Sequence, residues 1–403
     1  IKLKMRQTEE LIKISSGVEH TLFLSKSGHV YSKGSNKYGK LGLGICKMND
    51  IDSMSMIDSF HFDDEKVIDI ACNDDTSMAI TESGTLYEWG KLVINKTRNI
   101  TKKHVPMIVE YEVFNNEQIV KIYSEGSSNF AVSEKNTLYA WGDNQNGKLS
   151  LFSLEIMEEQ RKKNIHVHNC PIEVRYKYFK EPVYKIMCGE NNTMLLTRKG
   201  NLYACRKNKN NMLGKTKDDT IVPFFNRINL KFLNNEKIID FALGNDNCVI
   251  VTQTGKIYHW GLNVENPNQI VKVPNKFLSE KFKNEQVYKV FGKDLNYFFA
   301  TNKGNLYSWG NHSMFPWIKT ENKSFVKLNK YFENEIINQL VLNNYKEYFA
   351  ISKSGFLFSW KLNENKCLPL KNKQFFGRDL VVETHFDDMI FEMEMDNQII
   401  YEY

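Results

Sequence analysis

Short apolar runs separated by single turn residues recur along the whole chain. The run Thr21-Leu22-Phe23-Leu24 is followed by a turn signal at Ser27-Gly28 and a second run that opens with Val30-Tyr31. Two runs of strand formers around such a turn predict a β-hairpin. The segment returns as SMAITESGTLYEWG (77–90), NFAVSEKNTLYAWG (129–142), TMLLTRKGNLYACR (193–206), CVIVTQTGKIYHWG (248–261), YFFATNKGNLYSWG (297–310) and YFAISKSGFLFSWK (348–361). In the third copy Asn136 takes the turn position, which suits a residue that tolerates left-handed backbone angles. A degenerate eighth hairpin is expected at Met389–Tyr403, turning at Asp396-Asn397.

The aromatic after each turn (Tyr31, Tyr87, Tyr139, Tyr203, Tyr258, Tyr307, Phe358) recurs at intervals of 56, 52, 64, 55, 49 and 51 residues. A period near fifty with short strands is the mark of propeller blades or an array. A single hairpin is marginal in water and needs partners. An apolar strand precedes each later hairpin: Val67–Ile70, Ile119–Ile122, Val183–Met187, Ile238–Phe241, Val287–Phe291 and Ile336–Val341. A further candidate strand follows several of them, as at Pro106–Val109, Pro171–Val174 and Ser324–Leu328. Proline opening such a strand suits an outermost edge, where a missing N–H costs least. The unit is therefore about four antiparallel strands, the blade of a β-propeller, and the fold class is all-β.

Gly17, His20, Thr21, Leu22, Gly28, Val30, Tyr31, Gly34, Asn36, Gly39, Leu41 and Gly42 together resemble the repeat of the regulator-of-chromosome-condensation family. The third copy keeps Trp141, Gly142, Asn144, Gly147 and Leu149; the fourth keeps Asn208, Leu213 and Gly214 but has Cys205-Arg206 where others have Trp-Gly. The resemblance covers essentially the whole chain and implies a seven-bladed propeller. It suggests one domain over residues 8–403, with 1–7 as a short extension and 150–182 as the longest insertion between blades. The eighth hairpin is expected to close the ring with strands from the other terminus; an extra blade or further chain are the alternatives. Leu154–Lys163 is expected to form a short helix, and 46–66 and 91–101 to be projecting loops, where recognition concentrates.

Composition narrows the function classes. The net charge of +6 is spread without a dense basic tract, so neither nucleic acid nor chromatin is indicated as a partner. The seven cysteines are scattered with no C-x-x-C pair, which fits reduced thiols in an intracellular, cytoplasmic or nuclear protein. No run of about 18 apolar residues suggests a membrane span, and Ile1-Lys2-Leu3-Lys4 opens no secretory signal. Ile1 in place of Met leads to the expectation of a processed or partial chain.

Candidate chemistry is weighed against the repeat. Gly34–Lys40 and Gly142–Lys148 each match the first seven positions of a phosphate-binding loop, but Leu41 and Leu149 follow where Ser or Thr would hold Mg²⁺. Recurrence in register with the blades makes these structural loops, so no nucleotide or other cofactor is expected. His166, His168 and Cys170 are metal-ligand types with too few ligands for a site, and no metal is expected. His20 and its equivalents Thr76, Ser128, Asn192, Asn247, Asn296 and Glu347 are read as a structural polar ring, so no catalytic residue is assigned. The repeated Tyr and Trp are read as packing between sheets, since a stacking platform for bases needs exposure and positive charge. The clusters Arg161-Lys162-Lys163 and Lys207/Lys209 are the candidate contacts for an acidic partner. The reading is a non-enzymatic scaffold for protein–protein interaction within a larger assembly. The family resemblance supplies two alternatives. One is a guanine-nucleotide exchange factor for a small GTPase of the Ran class; the other is a module of a ubiquitin-ligase-type protein.

Overall fold

The computed structural model describes residues 9–44, 50–94, 99–144, 147–151, 162, 167–174, 181–189, 192–208, 210, 212–213, 221–244, 246–266, 268–277, 279–282, 284–293, 295–310, 325–342, 347–361 and 370–372. They form seven antiparallel sheets of four strands, each in simple chain order. Blades 1 to 7 cover residues 11–56, 67–108, 119–173, 183–227, 238–277, 287–327 and 337–372. The innermost strands are Leu11–Ser16, Val67–Cys72, Ile119–Glu125, Val183–Cys188, Ile238–Leu243, Val287–Lys293 and Ile337–Leu342. Each touches the innermost strand of the next blade, and the seventh touches the first. This is a closed β-propeller.

Closure uses side chains. Gln339 of blade 7 accepts from Ile14 N at 2.9 Å and donates to Ile14 O at 2.7 Å in blade 1. Phe23 meets Phe349 edge to face at 5.3 Å, and Lys33 pairs with Glu347. All seven described sheets already have four strands from consecutive chain. The C-terminal hairpin expected to complete a blade lies outside the described residues.

The second strand of each blade is sandwiched between neighbouring blades. In the first six blades every one of its residues is buried. That is why these strands read as unbroken apolar runs rather than as alternation. Four of the five repeat tryptophans, Trp89, Trp141, Trp260 and Trp309, are buried and point their indole N–H at the preceding blade, to Lys40 O, Glu88, Met212 O and Glu265; Trp360 is buried as well. They are packing residues, as the sequence indicated. Asn136 (φ 67°) occupies its turn as predicted, and its side chain accepts from Val183 N at 3.1 Å in the next blade.

One ring of carboxylates was not anticipated. Glu9, Glu65, Glu117, Glu181, Glu236, Glu285 and Glu335 each stand two residues before an innermost strand. They accept from hydroxyls at the end of the second strand or in the turn after it: Thr197 to Glu181 and Thr301 to Glu285, both at 2.6 Å, and Ser133 to Glu117. The strand-end hydroxyl in turn accepts a turn N–H, as Ser133 does from Thr137 at 3.0 Å. The device locks the hairpin turns that form one face of the disc.

Two expectations about loops are corrected. Within 46–66, the described residues hold the outer strand Ile51–Met56 and the 3₁₀ turn Ser59–Phe62, so they complete blade 1 rather than project from it. Within 91–101, residues 91–94 extend the third strand of blade 2, Leu86–Ile94, which pairs with Asn99–Ile108 as far as Ile94 and Asn99. The polar composition hid a hairpin because cross-strand pairing satisfies the backbone without a buried face. Prolines 106 and 171 also do not open their strands. Each falls where three outer-strand residues face one tryptophan, between Lys103 and Met107 or between His168 and Ile172, a bulge that needs no donor. The predicted helix at 154–163 lies outside the described residues except Lys162.

Candidate interaction site at the central axis

All seven innermost strands carry a bulge after their first residue: the register jumps between Leu11 and Lys13, Val67 and Asp69, Ile119 and Lys121, Val183 and Lys185, Ile238 and Asp240, Val287 and Lys289, and Ile337 and Gln339. The skipped second residue escapes pairing and is thrust outward. Ile12, Ile68, Val120, Tyr184 and Tyr288 occupy it and are exposed, Val120 at 47% and Tyr184 at 51%. Ile239 is half-buried and Asn338 exposed at the equivalent places. The strands begin next to the hairpin turns, so this apolar ring surrounds the axis on the turn face.

Immediately inside it lies a second ring, Lys13, Asp69, Lys121, Lys185, Asp240, Lys289 and Gln339. Four lysines against two aspartates leave a formal charge of +2. The carboxylates are fully occupied. Asp69 pairs with Lys13 and, at 3.0 Å, with Lys121, and accepts from Ile70 N at 3.1 Å. Asp240 accepts from Lys185 at 2.8 Å, Phe241 N at 2.9 Å and Val290 N at 2.9 Å. Burial opposes ionisation of Asp69, but Lys13 and Lys121 outweigh it and hold its carboxyl below the usual range. Burial pulls Lys13 and Lys289 below the ordinary lysine value, with Asp69 and Asp240 respectively opposing. Lys289 donates to Asn338 O at 2.7 Å. The arrangement is a polar collar under an apolar rim, suited to gripping a protruding segment.

The residues singled out from sequence fall elsewhere. Lys40, at the phosphate-loop lysine position, is 0% exposed and pairs with Glu19 at 3.0 Å and Asp75 at 3.6 Å. Asn36, Asn144 and Asn208 each accept from the N–H five residues on, at Leu41, Leu149 and Leu213, at 2.8–3.0 Å. These loops are self-satisfied structural turns. In the polar ring, Thr76 donates to Lys91 O at 3.2 Å, Ser128 to Asp143 O at 3.2 Å, and Asn247 to Leu262 O at 3.4 Å, whereas the side-chain amide of the buried Asn192 has no hydrogen-bond partner among the described residues. Of the candidate acidic-partner contacts, Lys162 is exposed and Lys207 ends the strand Leu202–Lys207; Arg161, Lys163 and Lys209 lie outside the described residues. His168 and Cys170 sit on the outer strand Val167–Glu173, with Cys170 exposed, and His166 lies outside the described residues. No cluster of three or more metal-ligand side chains occurs among the described residues.

The sequence model of the RCC1-like domain matches residues 2–315. The chain belongs to the RCC1-like domain family. The human E3 ubiquitin-protein ligase HERC2 is 27% identical over 257 residues, which are 63% of this chain and 5% of that protein. The human regulator of chromosome condensation is 25% identical over 264 residues, 63% of this chain and 60% of the relative. The chain thus spans less than two thirds of either relative. Among solved structures, Prp20p from Saccharomyces cerevisiae superposes with a TM-score of 0.66 at 19% identity, covering 96% of this chain and 86% of that one. Prp20p is described as binding Gsp1p and histones. That likeness shows the propeller fold of this RCC1-like chain and nothing finer. No described helix is long and apolar enough to cross a membrane.

The axial collar escaped sequence reasoning. Its signal was present: aligned by blade, the third residue of every inner strand is Lys, Asp or Gln.

Proposed function

We propose that this RCC1-like propeller is a non-enzymatic interaction platform that docks protein partners on its turn face, within a larger assembly. The observation that carries this reading is the ring of exposed apolar side chains around the axis, on a disc whose described hairpin turns are tied down by the carboxylates before the innermost strands. Contiguous exposed apolar surface rimmed by polar groups is the usual mark of a protein contact. The whole of residues 8–403 is read as that one domain. The buried thiols of Cys72 and Cys248, which form no disulfide, support an intracellular setting.

The test is a pull-down from the cell of origin with the wild-type chain and with Ile68→Asp/Tyr184→Asp. Both positions are exposed, so the fold should survive. Loss of specific partners supports the platform; an identical partner set in both samples removes the turn face from it.

A second reading is favoured by the likeness to the human regulator of chromosome condensation and to Prp20p: a nucleotide-exchange factor for a Ran-class GTPase. Nucleotide release from Ran-class GTPases unchanged by stoichiometric protein would eliminate it. The similarity to HERC2 motivates the third, a module of a larger ligase, which the complete reading frame decides.

A further inference from the structure

The collar is not evenly balanced. Around the ring the order is Lys13, Asp69, Lys121, Lys185, Asp240, Lys289 and then Gln339. Each aspartate stands between two lysines, one on each neighbouring blade. Between blades 3 and 4, however, Lys121 and Lys185 are neighbours with no carboxylate between them. Lys121 turns back to Asp69 in blade 2 and Lys185 turns forward to Asp240 in blade 5. Lys121 keeps 46% of its side chain exposed. Arg198, in the turn of blade 4, is exposed and acts electrostatically on Tyr123 and Tyr184 from the same sector. Directly above the gap stand Val120 and Tyr184, among the most exposed large apolar side chains of the described residues. Tyr123 ties the two blades together by donating to Tyr184 O at 2.8 Å.

We propose that the seam between blades 3 and 4 at the axial mouth binds a protein segment carrying a carboxylate beside an apolar side chain. The carboxylate completes the broken alternation by bridging Lys121 and Lys185. The apolar neighbour packs on Val120 and Tyr184. Each lysine ammonium has three donors; Lys121 engages a single described acceptor and Lys185 engages two, Asp240 and Phe241 O at 2.6 Å, so each has an N–H group left for the carboxylate. Nucleic acid fits less well, because a phosphate backbone needs an extended basic track and this surface is apolar at its rim. The proposal rests on the platform reading and names the chemistry of one partner segment.

The experiment is selection of a displayed library of random dodecapeptides on the full chain, followed by affinity measurement for the enriched peptides. Enriched peptides should carry Asp or Glu next to a Leu, Ile, Val or aromatic residue. Val120→Glu, at an exposed site with no folding role, should weaken them by about tenfold or more, and Lys121→Met likewise. Ile12→Glu, on the opposite side of the mouth, should change affinity by less than about threefold, the scatter of a rim charge with no direct contact. Enrichment of basic or uncharged peptides, equal loss in Val120→Glu and Ile12→Glu, or displacement by a poly-dT oligonucleotide at physiological salt would each overturn the proposal and leave the platform reading standing. Enrichment of no peptide would overturn both.

Discussion

Lowering the pH from 7 to 5 should cost this propeller about 2 kcal/mol at a single residue, His20. The imidazole is 1% exposed. Its Nε2 lies 2.8 Å from Ser77 Oγ, and the one proton of that hydroxyl goes to Lys40 O at 2.7 Å. Nε2 must therefore carry the hydrogen and donate to Ser77. Nδ1 is left bare, with no hydrogen-bond partner among the described residues. It faces Gly17, where a Cβ would collide first with the Asn73 carbonyl oxygen and would also sit 2.9 Å from Nδ1, so the glycine of the Gly-x-x-His motif makes room for both. Protonating Nδ1 would bury a cation with no acceptor, not far from the Lys40 ammonium. Burial first, and Lys40 second, push the pKa down to about 3. A base whose folded pKa lies below its unfolded value of about 6.5 contributes stability that is whole above pH 6.5 and is lost as pH falls towards 3. Integrated from pH 7 to 5, the loss is about 2 kcal/mol. Glu88 works in the opposite direction over this range, so a bare pH profile does not isolate the effect. The assay is chemical denaturation of wild type and His20→Asn at both pH values, asparagine being the residue at this position in blades 4 to 6. The variant should lose about 2 kcal/mol less than wild type between pH 7 and 5. Equal losses would refute the buried-neutral-imidazole account, whatever the absolute stability of the variant.

Glu88 is buried against Trp141 Nε1 at 3.0 Å, and burial raises its pKa to about 7 despite that bond. Its ionisation is a burden at high pH, so Glu88→Gln should stabilise the protein by about 3 kcal/mol at pH 8 and by nothing below pH 4.5, read from denaturation midpoints. Glu285 accepts from Thr301 at 2.6 Å, Asn305 at 2.7 Å and Tyr307 at 3.1 Å. Burial opposes ionisation there, but these bonds hold the carboxyl below its usual value; its stabilisation is therefore present above about pH 4.5 and lost as pH falls through the folded pKa. Glu285→Gln should cost about 1–2 kcal/mol at pH 7 and flatten the acid limb, measured by thermal melts from pH 7 to 3. Gly90 has φ 102°, and a Cβ there would lie 2.4 Å from Asp75 O. Gly90→Ala should lower stability by about 3 kcal/mol, while the same change at Gly126, where a Cβ meets nothing within 4 Å, should cost clearly less in the same melts.

The fold was legible because a propeller writes its architecture locally. Each hairpin carries its own turn residue, and the predicted positions Gly28, Gly84, Asn136, Gly200, Gly255, Gly304 and Gly355 all take positive φ. The tryptophans announced themselves by repetition, and repetition implies packing against an identical neighbour. The axial collar was illegible for a geometric reason. In Leu11-Ile12-Lys13-Ile14 a single charge in an apolar strand breaks the two-residue period and reads as noise. The bulge after Leu11 absorbs one residue, so Ile12 faces out and Lys13 faces the axis. Nothing in one strand predicts that bulge; the seven aligned strands do. The carboxylate before each inner strand was hidden differently, since glutamate in a polar connection is unremarkable until its spacing is compared across blades. Residues 91–101 misled because lysine and asparagine mark loops only when the backbone has no partner strand.

The distinction between sevenfold and broken positions separates scaffold from site. The carboxylate that accepts from the turn is present in all seven blades, Glu9 through Glu335, and has the same structural duty in each. The third position of the inner strand shares a place but not a residue, and its charges follow a Lys-Asp-Lys pattern twice before ending in glutamine. Part of that variation is internal. Asp240 and Gln339 each reach the fourth-residue N–H of the following blade, at Val290 and Ile14. A lysine has no acceptor for that N–H; Lys13, Lys121 and Lys185 pair with the aspartates instead, and Lys289 donates to Asn338 O. What ring stability does not explain is Lys121 beside Lys185. An acid at either position would itself stand beside Asp69 or Asp240, so the ring cannot neutralise this pair by substitution, and like charges placed side by side at the axis cost energy rather than supply it. Its coincidence with Val120 and Tyr184 puts two neighbouring ammonium groups beneath some of the most exposed apolar surface of the described residues, and that is the sector in which a partner's carboxylate has most to contribute.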